Sequence, residues 1–163
     1  MEPSVHGVPN ALSSGISTHE LKSKMPTVIV IDDDFDIVEF VSEILMMHGI
    51  NVLGKGYNGM EAVELYRKYR PEVVLLDMCM PVFDGFYAIE KIILFDHSAF
   101  IVAFTGLNSE KLQAITKEKK ITILPKPFKV EEFVTICNFK HNFHCLEAKQ
   151  MQRKGCLCMV DSL

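Results

Sequence analysis

Short apolar runs alternate with longer amphipathic stretches through most of this chain. Thr27-Val28-Ile29-Val30-Ile31 and Val73-Val74-Leu75-Leu76 are brief, β-branched and bounded by polar or breaking residues, with Pro71 before the second and Pro81 after it. Such runs read as strands buried on both faces. Between them, Ile37, Val41, Ile44 and Leu45 keep helical spacing over roughly 36–48, and Gly49 follows as a C-terminal stop. The same reading predicts a second strand at 50–53, a helix at 59–69 after the turn Tyr57-Asn58-Gly59, and a third strand at 72–77. It continues with a helix at 85–95, a strand at 100–105, a more polar helix at about 109–119, a strand at 121–124 and a helix from about Val130. Five strands alternating with five helices imply an α/β fold, with a parallel sheet, helices on both faces and right-handed crossovers.

Residues 1–25 are rich in Ser, Pro, Gly and His without periodicity and read as a flexible leader. After about Phe139 the pattern weakens and turns mildly basic, so 139–163 is either an extension of the fifth helix or a loose tail. Length suits one domain, over 26–138. Apolar residues make up 48% of the chain, which argues against disorder. A net charge of −4 disfavours direct nucleic-acid binding. The apolar runs are too short to cross a membrane and no signal-peptide pattern opens the sequence, so a cytoplasmic location is expected. The odd number of cysteines, five, fits free thiols better than a disulfide framework.

Chemistry gathers at the ends of the predicted strands. Asp77 closes the third, and Asp32-Asp33-Asp34 follows the first. Carboxylates at the C-terminal edge of a parallel sheet lie where open α/β folds place their sites. Asp32, Asp33 and Asp77 brought together would repel one another unless a cation neutralised them, and Mg²⁺ is the usual choice where phosphate is handled. Thr105 with Gly106, and Lys126 within Leu124-Pro125-Lys126-Pro127-Phe128, end the fourth and fifth strands and should converge on the same edge.

These residues, in this order, resemble the receiver domain of two-component response regulators, in its stand-alone chemotaxis-receiver form. The motifs are Asp32-Asp33, Asp77 with Met80-Pro81 and Asp84-Gly85 behind it, Thr105-Gly106, Lys126-Pro127-Phe128, and Tyr57-Asn58-Gly59-Met60-Glu61-Ala62 at the start of the second helix. The resemblance covers roughly 26–138. It implies a flavodoxin-like doubly wound five-stranded sheet of order 2-1-3-4-5. It further implies that Asp77 takes a phosphoryl group from a histidine of a sensor kinase or phosphotransfer protein. Mg²⁺ would be held by Asp33 and Asp77 directly, by Asp32 more weakly or through water, and by the backbone carbonyl of Cys79. Lys126 would pair with Asp77 at rest and with a phosphoryl oxygen afterwards, Thr105 would donate its hydroxyl, and the Lys126–Pro127 bond would be cis.

A phosphoryl group would draw Thr105 inward and switch a surface made by the fourth helix, fifth strand and fifth helix for a downstream protein, or for a dimer formed on phosphorylation. The family's aromatic switch position on the fifth strand is Ile123 here, a departure that puts the aromatic version of the switch in question. The segment between Asp77 and Thr105 looks slightly short. Cys79 and Leu107 stand where the family controls water access, which suggests slow autodephosphorylation. The protein would be a signalling phosphoacceptor that assists its own phosphorylation and dephosphorylation, not an enzyme.

Other readings stand beside this one. A Mg²⁺-dependent phosphohydrolase with an aspartyl nucleophile would want a carboxylate two residues after Asp77, where Cys79 stands. A phosphorylation-independent interaction module would not need the full set Asp32, Asp33, Asp77, Thr105 and Lys126. Asp34 reads as a helix N-cap. His141, His144, Cys145, Cys156 and Cys158 match the common zinc spacings poorly and read as part of a mobile tail. Met46, Met47, Phe83, Phe86 and Phe95 read as core or loop packing, and His48 and His97 as solvent-facing.

Overall fold

The computed structural model describes residues 25–106, 112–114 and 121–155, without the side chains of 143–155. Its strands are β1 (Thr27–Ile31), β2 (Asn51–Gly56), β3 (Val73–Asp77), β4 (Ile101–Thr105) and β5 (Thr122–Pro125). They form one parallel sheet of order β2-β1-β3-β4-β5. The helices are α1 (Phe35–Met47), α2 (Gly59–Tyr69), α3 (Gly85–Phe95) and α4 (Val130–Gly155). Leu112–Ala114 is helical within the span expected for the polar helix at 109–119, and the rest of that helix lies outside the described residues.

The sheet separates two cores because side chains alternate across a strand. Ile29, Ile31, Val74, Leu76, Ile101 and Ala103 face α2 and α3, where Ala62, Ala88, Ile89 and Ile92 meet them. Val28, Val30, Val73, Leu75, Val102 and Phe104 face the other way, onto Val38, Val41 and Leu45 of α1 and Phe133 and Cys137 of α4. β3 and β4 are buried along their whole length, as unbroken apolar runs require.

The starts of α1, α2 and α3 are specified locally. The Asp34 side chain accepts from the Asp36 and Ile37 amides, Asn58 from Met60 and Glu61, and Asp84 from Tyr87. In α2 the capping is reciprocal, since Glu61 reaches back to the Tyr57 amide at 2.8 Å. Gly49, with φ +76°, takes the left-handed turn after α1.

Three expectations need correction. β2 runs to Gly56 instead of stopping at 53, pairing Gly54 with Ile29 and Gly56 with Ile31 across a register shift. Its two glycines break the apolar alternation that marks a strand, yet they leave room for Leu65 of α2 to lie against them. Met46 and Met47 are not packed: Met47 is 84% exposed and Met46 50%. The buried stripe of α1 is Val38, Val41, Ser42 and Leu45, and helical rotation carries the next two positions out of it. Phe95 is also partly exposed, under the guanidinium groups of Arg67 and Arg70.

The chain after Phe139 continues α4 to Gly155. His141 belongs to this helix and is buried; its Nδ1 lies 3.0 Å from the Glu72 carboxylate, which also accepts from the Thr27 amide at 3.0 Å. Of the zinc candidates, only His141 has a described side chain. His48 and His97 are exposed as expected. Among the described residues, no helix is long and apolar enough to cross a membrane.

Candidate functional site

The ends of β1, β3, β4 and β5 bring the predicted residues together at one edge of the sheet. Asp32 leaves β1, Asp77 closes β3, Thr105 closes β4, and Lys126 follows β5. The Lys126 amide donates to the Thr105 carbonyl at 3.0 Å, which fixes the last step of the β4–β5 ladder beside the site. The Lys126–Pro127 peptide is cis, as expected.

Lys126 Nζ donates to Asp32 Oδ2 at 2.8 Å and lies 2.9 Å from Asp77 Oδ1. Both carboxylates are 2–3% exposed. The second contact was expected; the first, to Asp32, was not. Asp32, Asp33 and Asp77 each place an oxygen within 4.8 Å of the others, with Asp33 on the solvent side. The remaining Asp77 oxygen, Oδ2, accepts from the Cys79 amide at 2.8 Å, and Asp32 Oδ1 accepts from the Asp34 amide at 2.9 Å. Both carboxylates are thus held rigidly by backbone donors.

Burial holds the Asp32 carboxyl above the ordinary carboxylate range; the Lys126 bond opposes this and the charge of Asp77 adds to it. Burial works against the Lys126 ammonium too, but its bonds to Asp32 and Asp77 prevail and hold it above the usual lysine value. The directions are compatible: one ammonium gains from two carboxylates, whereas Asp32 has one cation to offset both desolvation and a like charge. The ammonium also lies 4.0 Å from the centroid of Phe104, whose ring packs edge-on against Phe128.

Thr105 is buried, with its hydroxyl 3.9 Å from the Cys79 thiol. Cys79 itself is exposed. Gly85 explains the Asp84-Gly85 motif: a Cβ there would meet the Asp77 carbonyl oxygen at 2.5 Å and the Met78 Cα at 2.8 Å. The loop before α3 presses against the end of β3, and only glycine fits. Val82, in that loop, is 92% exposed with φ 70°. Ile123 is partly exposed on β5. Leu107 lies outside the described residues.

Three carboxylates of this kind offer hard oxygen donors at the spacing a divalent cation needs, and Mg²⁺ fits that set. The arrangement can hold a cation, present one oxygen of Asp77 as a nucleophile, and offer an ammonium and a hydroxyl to an incoming anionic group.

Comparison with known proteins agrees. A family model for the response regulator receiver domain matches residues 28–138. The chemotaxis protein CheY of Halobacterium salinarum is 33% identical over 102 residues, covering 62% of this chain and 84% of that protein. CheY of Thermotoga maritima is 31% identical over 113 residues, covering 68% and 93%. Among solved structures, the CheX–CheY–BeF3–Mg²⁺ complex from Borrelia burgdorferi matches with a TM-score of 0.63 and 26% identity, over 68% of this chain and 84% of that one. A CheY-like receiver domain protein from Methanospirillum hungatei shares the fold at a TM-score of 0.70 and 18% identity, over 76% and 99%. Motifs, sheet order, clustered carboxylates and matched span lead to one conclusion: this chain belongs to the response regulator receiver domain family.

Proposed function

We propose that the chain is the phosphoacceptor of a two-component relay, with Asp77 taking a phosphoryl group from a phosphohistidine of a sensor kinase or phosphotransfer protein. The observation that carries this reading is the Lys126 ammonium, held 2.8 Å from Asp32 and 2.9 Å from Asp77 beside a third carboxylate. In the transfer, an Asp77 oxygen forms a bond to phosphorus as the P–N bond breaks, and the donor imidazole nitrogen leaves with the electron pair. Asp33 and Asp77, with Asp32 and the Cys79 carbonyl in support, would hold Mg²⁺, which supplies charge neutralisation for the approaching phosphoryl oxygens. Lys126 exchanges its carboxylate contact for a phosphoryl oxygen, and the Thr105 hydroxyl donates to another. In this reading the site assists its own phosphorylation, and the thiol of Cys79 offers no carboxylate to activate water, so autodephosphorylation is slow.

The output would be protein–protein contact through the 109–119 segment, β5, on which Ile123 is exposed, and α4, or dimerisation on phosphorylation through the same surface. The receiver unit is assigned to 26–138, with 1–25 a leader and 139–163 a C-terminal extension, and a cytoplasmic location follows from the relay role. The test is incubation with acetyl phosphate, with and without Mg²⁺, read by intact mass beside Asp77→Asn. A Mg²⁺-dependent phosphate-sized gain that vanishes in the variant supports the proposal. A gain that persists in Asp77→Asn sinks it.

A further inference from the structure

A second cluster of charged and aromatic side chains lies at the opposite end of the sheet, remote from Asp77. The C-terminus of α2, the start of β3, the turn before β4 and the side of α4 enclose a cavity of about 280 Å³ there. Tyr66, Arg70, Glu72, Asp96, Phe100 and Lys140 are among the residues that line it.

The hydrogen-bonding balance of this cavity is one-sided. Its carboxylates are occupied from within the protein. Asp96 Oδ1 accepts from the Ser98 amide at 2.9 Å and hydroxyl at 2.7 Å, and Oδ2 accepts from the Tyr66 hydroxyl at 2.7 Å. Glu72 accepts from Thr27 and engages buried His141. The cations are held less closely. Arg70, about half exposed, carries five N–H donors, reaches Asp96 at 3.5 Å and lies 5.8 Å from the Tyr66 ring centroid. Lys140 has no carboxylate partner among the described residues; its ammonium lies 5.3 Å from the Phe100 centroid. Arg70 stacks on Phe95 at 3.9 Å, and Arg67 lies 5.2 Å from the same ring.

Arg70 is also held in an unfavourable backbone state. It caps α2 with φ 47° and ψ 58°, the left-handed region that glycine or asparagine normally fills. Its guanidinium lies over Phe95, and the residue lines the cavity. A surplus of donors, a preset guanidinium fork and flat aromatic walls suit an acid group attached to a flat body. The volume admits only a small molecule.

We propose that this cavity is a binding site for a small organic anion, with a carboxylate or phosphate head on Arg70 and Lys140 and a flat apolar body against Phe100 and Tyr66. The site goes beyond the phosphoacceptor reading and does not depend on it. Its test is titration of the full-length, Mg²⁺-free protein with benzoate, and separately with inorganic phosphate, followed by amide NMR. Benzoate should give saturable shifts at Ser98, Phe100 and Lys140 with a dissociation constant of about 1–10 mM, and phosphate should bind more weakly because it lacks the flat body.

Arg70→Gly retains the backbone conformation, since glycine adopts this φ freely, and should weaken benzoate binding by at least about fivefold. Arg70→Gly with Lys140→Gln should abolish it. Absence of saturable shifts, shifts centred on Thr105 and Lys126, or equal binding by Arg70→Gly would each overturn the proposal.

Discussion

Replacing Lys126 with Met tests the electrostatic core of the site. The change keeps the aliphatic stem and removes the ammonium that bridges Asp32 Oδ2 and Asp77 Oδ1 at 2.8 and 2.9 Å. Two carboxylates that are 2–3% exposed then face each other, and exposed Asp33, with no intervening cation. Removing one partner of a fully buried pair costs about 3–5 kcal/mol. The Lys126 side chain is 29% exposed, so solvent screens part of this, and about 2–3 kcal/mol is the expected loss of stability at neutral pH in EDTA.

The pH dependence follows from Asp32. Its folded pKa lies above the unfolded value of 3.8, so its contribution is most favourable below that pH and is lost as pH rises through the raised value. Without Lys126 the folded value climbs further. The deficit of Lys126→Met should therefore shrink on acidification and be largest at neutral pH and above. Mg²⁺ should close it as well, because a cation bound between the carboxylates takes over the neutralising role, and by linkage the variant should bind Mg²⁺ more tightly than the parent. Urea unfolding in EDTA and in saturating Mg²⁺, across a pH series, reads all three effects. A variant as stable as the parent in EDTA at neutral pH would refute the account of Lys126 as the cation that holds this site together.

Three further outcomes are expected. Val82→Gly should stabilise the protein by about 1 kcal/mol, because Val82 carries φ 70° on a β-branched, fully solvated residue; a lowered melting temperature would contradict this strain. Gly85→Ala should cost about 3 kcal/mol and depress acetyl-phosphate labelling of Asp77, since the new methyl meets the Asp77 carbonyl oxygen at 2.5 Å; urea unfolding and intact mass check both parts. Cys79 should alkylate readily in the folded protein while Cys137, buried with its thiol pushed up to about 12, reacts only on unfolding, a contrast that peptide mapping of the label would show.

The sequence carried most of this architecture because its strands are buried on both faces. A short β-branched run closed by a polar residue has few other readings, and the carboxylates that follow such runs could be placed on one sheet edge without coordinates. β2 was half hidden for the opposite reason: Gly54 and Gly56 contribute backbone pairing and space for Leu65 but no apolar pattern. The continuation of α4 stayed open between a helix extension and a loose tail because its inward stripe changes chemistry. Phe133, Cys137 and His141 recur at helical spacing and are all buried, but a histidine at the third position reads as polar until Glu72, 69 residues away, is seen to receive it. That spacing was the available signal.

The same limit governs the site. Strand order tells which residues share an edge, and it does not tell which carboxylate a lysine reaches. Lys126 is 94 residues from Asp32, and only the register of β1, β3, β4 and β5 together sets their 2.8 Å separation. The resemblance supplied the pairing with Asp77; the pairing with Asp32 is a property of the folded sheet. It makes Lys126 a placeholder for both functions of the site, touching Asp77, which would be phosphorylated and hold the cation, and Asp32, which would support the cation. Phosphoryl transfer and cation binding then compete with the same ammonium at rest, so each should be easier once the other has displaced it.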